Sequence, residues 1–143
     1  MRLLTIILVI ILFSGCSNIR NYRGELIGVW KSDAKKTLAS MESASGINDK
    51  AKKIFVDDFF GHLIVEYRKH DVRAYFDNID DTIEEMLEFY PYKLLEADDS
   101  KFVVERYDLL EQKNKVITLY RDGDCYFIEV SGMGFYEYFC KIK

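Results

Sequence analysis

The sequence predicts a mainly β domain: a small antiparallel up-and-down barrel of about eight strands, with two short helices after the first strand. Three observations predict it. From His62 onward, apolar and polar residues alternate in short runs. Turn formers separate those runs, as at Lys69-His70-Asp71, Asp98-Asp99-Ser100 and Asp122-Gly123. Before His62, apolar residues recur instead at a spacing near that of an α-helix.

Leu26 to Ser32 reads as the first strand. Asp33 caps a helix with apolar positions Ala34, Leu38, Met41 and Ala44, and Gly46 stops it. Asn48 or Asp49 caps a second, with Ala51, Ile54, Phe55 and Phe59 on one side and Gly61 at its end. Leu63, Val65 and Tyr67 then alternate, followed by Val72, Ala74 and Phe76. Asn78 to Asp81 reads as a loop and Thr82 to Leu87 as one helical turn. Pro91 belongs at a strand start or on an edge. Tyr92 to Ala97, Lys101 to Tyr107, Lys115 to Arg121, Cys125 to Val130 and Phe135 to Ile142 complete the strands. Asp122-Gly123 is a type I′ hairpin signal that pairs positions summing to 245.

The first residues say where the protein lives. Arg2 is a cationic head, Leu3 to Phe13 an almost unbroken apolar run, and Ser14-Gly15-Cys16 closes it. That order is a secretory signal, and the run is about half the ~20 residues of a membrane span. Leu12-Phe13-Ser14-Gly15-Cys16 resembles the lipobox of bacterial lipoproteins. Membership implies acylation of the Cys16 thiol, palmitate among the chains, and a cut that makes Cys16 the mature N-terminus. Residues 1–15 are then the signal peptide, 16–25 a lipidated polar spacer and 26–143 the barrel domain. Ser17 after the Cys implies outer-membrane sorting, facing the periplasm, in a Gram-negative source. An uncleaved anchor and an ordinary secreted protein are the alternatives.

Without Met1 to Gly15 the chain has 19 Lys+Arg against 24 Asp+Glu, a net of −5. That balance argues against nucleic acid and against a polybasic grip on anionic lipid, so acyl chains would hold the membrane. Twenty aromatics remain, enough for a sizeable core.

Gly28-Val29-Trp30 matches the G-x-W that opens lipocalins and fatty-acid-binding proteins. The resemblance implies that Trp30 closes one end of the barrel and that Gly28 lets backbone pass close. Strand, helix pair, then strands is also the order of fatty-acid-binding proteins, where the helices lid the barrel. Tyr136 to Lys141 is similar to the last strand of small bacterial lipoproteins with a G-x-W-K-S opening, a family that carries no function across.

The turn Ser131 to Gly134 pairs positions summing to 265, and Cys125 and Cys140 sum to 265. They therefore face each other across two strands. In an oxidising compartment, with Cys16 acylated, they are expected to be bonded; two reduced core thiols are the alternative.

Chemistry is hard to find. His62 and His70 lack metal or catalytic spacing. Ser131 lacks the preceding Gly of a nucleophile elbow, since Glu129 stands there. The acidic run Asp77, Asp80, Asp81, Glu84, Glu85, Glu88 breaks calcium-loop register at Ile79 and Thr82. Neither an enzyme nor a cofactor is expected. The function expected is a non-enzymatic binding module for a small apolar ligand; the alternative is a protein-interaction module, as an inhibitor, immunity or assembly accessory protein. Replacing Cys16 by Ala should move the protein from the membrane to the soluble fraction and leave the precursor uncut; unchanged fractionation contradicts the lipobox reading.

Overall fold

The computed structural model describes residues 15–78, 87–109 and 111–143. The signal run, Asp80, Asp81, Glu84, Glu85 and nearly all of the expected turn at 82–87 lie outside them. Helix α1 (Gly15–Leu26) precedes β1 (Gly28–Ser32), α2 (Ala34–Glu42) and α3 (Asp49–Asp58). Strands β2 (Leu63–Tyr67), β3 (Asp71–Phe76), β4 (Tyr90–Ala97), β5 (Lys101–Asp108), β6 (Lys113–Asp122), β7 (Cys125–Glu129) and β8 (Tyr136–Lys141) follow. The eight strands close in sequence order into an antiparallel barrel, with β1 between β2 and β8.

The helix caps fall where the sequence places them. The Asp33 side chain accepts from the Lys36 amide at 2.9 Å, and Asn48 accepts from Ala51 at 2.9 Å. Their buried faces differ from the expected stripes. Thr37 and Met41 are buried on α2, whereas Ile54 and Phe59 are exposed. Thr37 is inside because its hydroxyl accepts the Tyr138 amide, and Ser40 accepts the Tyr136 amide. β1 is too short to pair with that part of β8, so α2 supplies the missing acceptors.

Two local expectations are corrected. The hairpin between β6 and β7 turns on Gly123-Asp124, so paired positions sum to 247, as in Asp122 with Cys125, rather than 245. Gly123 alone of those two has positive φ, 59°; a type I′ turn would demand it of Asp124 as well. The shift is an even number, so the same side chains still face inward. Residues expected to be a spacer instead form α1. Ile19, Tyr22 and Leu26 lie along one stripe and pack on the core, and the Tyr22 hydroxyl donates to Asp99 at 2.6 Å. Three apolar residues in a polar stretch are a weak signal alone; tertiary packing makes the helix.

Cys125 and Cys140 pair across β7 and β8 and form a disulfide. The closed loop of 15 residues is worth roughly 3 kcal/mol in the chain-entropy model.

The barrel interior is aromatic. Trp30, Tyr67, Tyr92, Phe102, Tyr126 and Phe139 are buried with Leu26, Val65, Val104 and Leu119. Their rings touch: Trp30 and Tyr126 at 4.9 Å, Tyr67 and Tyr92 at 5.3 Å, Tyr126 and Phe139 at 5.2 Å between centroids. A second cluster, Met41, Phe60 and Phe135, lies under the helix pair.

Trp30 sits where α1, β1 and β8 meet. Its indole N–H donates to the Leu26 carbonyl at 2.9 Å, and the Lys141 ammonium lies 5.2 Å from its ring centroid. The ring is 5% exposed, so burial outweighs the cation–π contact, which is worth ~0.5–1 kcal/mol. Trp30→Ala should cost ~3–5 kcal/mol in a denaturant melt, and the native indole should emit in the blue and resist quenching. A near-parental melt with red-shifted, freely quenched native emission contradicts this packing.

Candidate functional site

The outer wall of the barrel has two characters. Over β2 to β5 it is charged. Glu66 pairs with Arg73 at 2.7 Å and Lys93 with Glu105 at 3.1 Å, and Asp77 holds both Lys31 and His62. These pairs are worth ~0–1 kcal/mol each and describe a solvated wall.

Over β6 to β8 the wall is aromatic. Tyr120, Phe127 and Tyr138 stand opposite one another across three strands. Centroids are 5.4 Å apart for Tyr120 and Phe127 and 5.1 Å for Phe127 and Tyr138. Tyr136 packs its ring edge-on against Phe127 at 5.2 Å. Tyr120 and Tyr136 are 41% and 40% exposed, and Val116, on the same outer wall, is 60% exposed. The inward neighbours Leu119, Tyr126 and Phe139 are buried, so the ladder is the second face of strands already used by the core.

A cleft of about 480 Å³ opens beside the ladder, lined by Lys36, Ser40, Asp122, Gly134, Tyr136 and Tyr138. A second, of about 550 Å³, lies along β4 to β6, lined by Tyr90, Pro91, Tyr92, Lys93, Glu105 and Tyr107. Both exceed the ~300 Å³ at the lower end of ligand pockets; the first is walled by outward residues, whereas the inward, buried Tyr92 helps to line the second.

Polar groups also enter the interior. The Ser32 hydroxyl donates to Glu137 at 2.7 Å and accepts the Gly61 amide at 2.9 Å, linking β8, β1 and the chain entering β2. Burial pushes the Glu137 carboxyl up to about 7, and the Ser32 bond only partly offsets it. Among the described residues, the buried Tyr67 hydroxyl has no hydrogen-bond partner of ordinary geometry. Burial raises its pKa, and the nearby Arg106 charge works against that rise. Burial likewise pushes Tyr126 well up.

Cys16 lies in the first turn of α1. Gly28 and Trp30 are on β1 beside the chain end: φ at Gly28 is 147°, and a Cβ there would come within 2.5 Å of the Lys143 carbonyl oxygen. His62 and His70 are not brought together, since they flank opposite ends of β2. Ser131 lies in an exposed turn. Among the described residues no cluster of His, Cys, Asp or Glu is arranged to hold a metal, and no helix is long and apolar enough to cross a membrane. The architecture is that of a closed eight-stranded barrel with a helix pair after its first strand. No family model, curated protein or solved structure matches the chain.

The pairing sum of 265 also sets Phe127 opposite Tyr138, whereas Tyr120 and Tyr136 stand at solvent-facing positions of the alternation and carry no mark in the sequence. Sequence reasoning also missed Glu137, an acid two residues before Phe139 and therefore on the inward side.

Glu137 generates a pH prediction. Its folded pKa lies above the ordinary value of 4.5, so the folded state binds more protons between 4.5 and about 7. Its contribution is full below pH 4.5, falls as pH rises to about 7 and is flat above; the span is about 3 kcal/mol. Melts across this window should show Glu137→Gln more stable than the parent at pH 8 and with a flatter profile. Parallel profiles would contradict the assignment.

Proposed function

We propose that this protein is a lipid-anchored envelope lipoprotein whose barrel is a non-enzymatic protein-interaction module. The observation that carries the reading is the aromatic ladder Tyr120, Phe127, Tyr136 and Tyr138, exposed at Tyr120 and Tyr136, on the outside of a barrel whose inward aromatics pack on one another. Tyrosine and phenylalanine are enriched at protein interfaces, where they bury large area at little entropic cost. The cleft beside the ladder supplies a concavity for a partner side chain. Net acidity favours a cationic partner through its effect on encounter rate.

A second reading, a carrier of a small apolar ligand with one polar end, rests on the buried Tyr67 hydroxyl, which has no well-formed hydrogen bond among the described residues and lies beside Arg106 and Tyr126 inside the barrel. The packing of the inward aromatics on one another ranks it second.

The double variant Tyr120→Ala, Tyr136→Ala separates surface function from folding. The exposed pair gives up only cross-strand contacts of ~0.2–1 kcal/mol each, so the melting temperature should fall by about ten degrees at most and the variant should stay folded. Crosslinking and pull-down from the native envelope should lose the partner recovered with the parent chain. Recovery of the same partner at parental yield would contradict the proposal.

A further inference from the structure

We infer that the α1-covered end of the barrel stands directly on the lipid bilayer, because α1 packs the chain onto the core three residues after the anchoring Cys16. This rests on the lipoprotein reading of Cys16 and goes beyond it by fixing which surface of the domain meets lipid.

A free spacer from Cys16 to Leu26 would lift and release the domain. Ten extended residues reach ~33–36 Å, enough for a barrel of this size to tumble above the headgroups. The helix removes that reach. Ile19, Tyr22 and Leu26 pack on the core, Tyr22 is tied to Asp99, and Glu25 pairs with Arg121 and offers its carbonyl to Lys141 at 2.9 Å. Cys16 is separated from Ile19 by about 4.5 Å of helical rise. Acyl chains at Cys16 therefore draw the barrel down to the headgroups.

The end so held follows from strand register. It carries the start of β1, the β2–β3 turn at 68–70, the β4–β5 turn at 98–100, the β6–β7 turn and residues 141–143. Arg68, Lys69, Lys143 and Ile142 are exposed there, with Ile142 at 52%. Asp99 and Asp124 share that end, so its charge is mixed and the acyl chains supply the attraction. Basic side chains can still reach phosphates while their stems lie along apolar surface. The opposite end, with the β5–β6 turn, points into the aqueous phase, and the aromatic ladder faces sideways.

The test uses the full lipidated protein, disulfide intact, in vesicles of phosphatidylethanolamine and phosphatidylglycerol at three to one. Single fluorophores are placed through Lys69→Cys, Lys143→Cys or Lys113→Cys, and energy transfer to a headgroup-attached acceptor is measured. Strand β6 alone has 10 residues, about 33 Å of chain between the two ends before tilt. Labels at 69 and 143 should transfer at least twice as efficiently as the label at 113. The ratio should survive high salt and collapse when a flexible Gly-Ser insert follows Asn18. Protein that sediments with vesicles but transfers equally from all three labels overturns this inference and leaves the anchor standing. Lipidated protein that fails to sediment with vesicles overturns both.

Discussion

A five-residue strand closes this barrel, and the rest of the structure is arranged around that shortness. β1 must pair with β2 on one side and β8 on the other. At its start, Gly28 lets the last residues run alongside, with the Val29 amide donating to the Lys143 carbonyl at 2.9 Å. At its centre, Trp30 fills the space between β1, α1 and Tyr126, and Lys141 covers the ring. At its end, α2 takes over the edge of β8 through Thr37 and Ser40. Losing Thr37 or Ser40 would leave a β8 amide unpaired, which is costly where burial excludes water.

Closure decides where binding is placed. With α1 and Trp30 at one end and the helix pair near the other, the inward faces are committed to packing. The outward faces remain, and they are unequal. Ion pairs predominate over β2 to β5, where Arg73 also lies over the Tyr75 and Phe89 rings, whereas a continuous row of aromatic rings crosses β6 to β8. The disulfide fastens β7 to β8, which holds two of the three strands of the ladder in register. Stiffening a binding face before contact lowers the entropic cost of association.

Strand count, helix pair, caps and the Cys125–Cys140 pairing were legible because each leaves a local mark: alternation, a capping side chain, or positions whose numbers sum to 265 across a four-residue turn. What stayed hidden depends on contacts far apart in the chain. Helix α1 is polar except along one stripe, and its partners Asp99 and Arg121 come from 77 and 96 residues away. Thr37 reads as a surface residue until β8 presents an unpaired amide to it. The turn at Gly123 was misplaced by one residue because Asp-Gly and Gly-Asp both mark hairpins; only backbone φ distinguishes them. The aromatic ladder was half visible, since Tyr at outward strand positions is also what β-propensity alone would supply.

The central claim is that this barrel uses its outside, and native mass spectrometry of protein purified gently from its own envelope tests it most directly. The account predicts the mass of the chain with its acyl groups, alone or with a bound protein partner, and no small molecule released on unfolding. A stoichiometric apolar compound released when the barrel unfolds would contradict it.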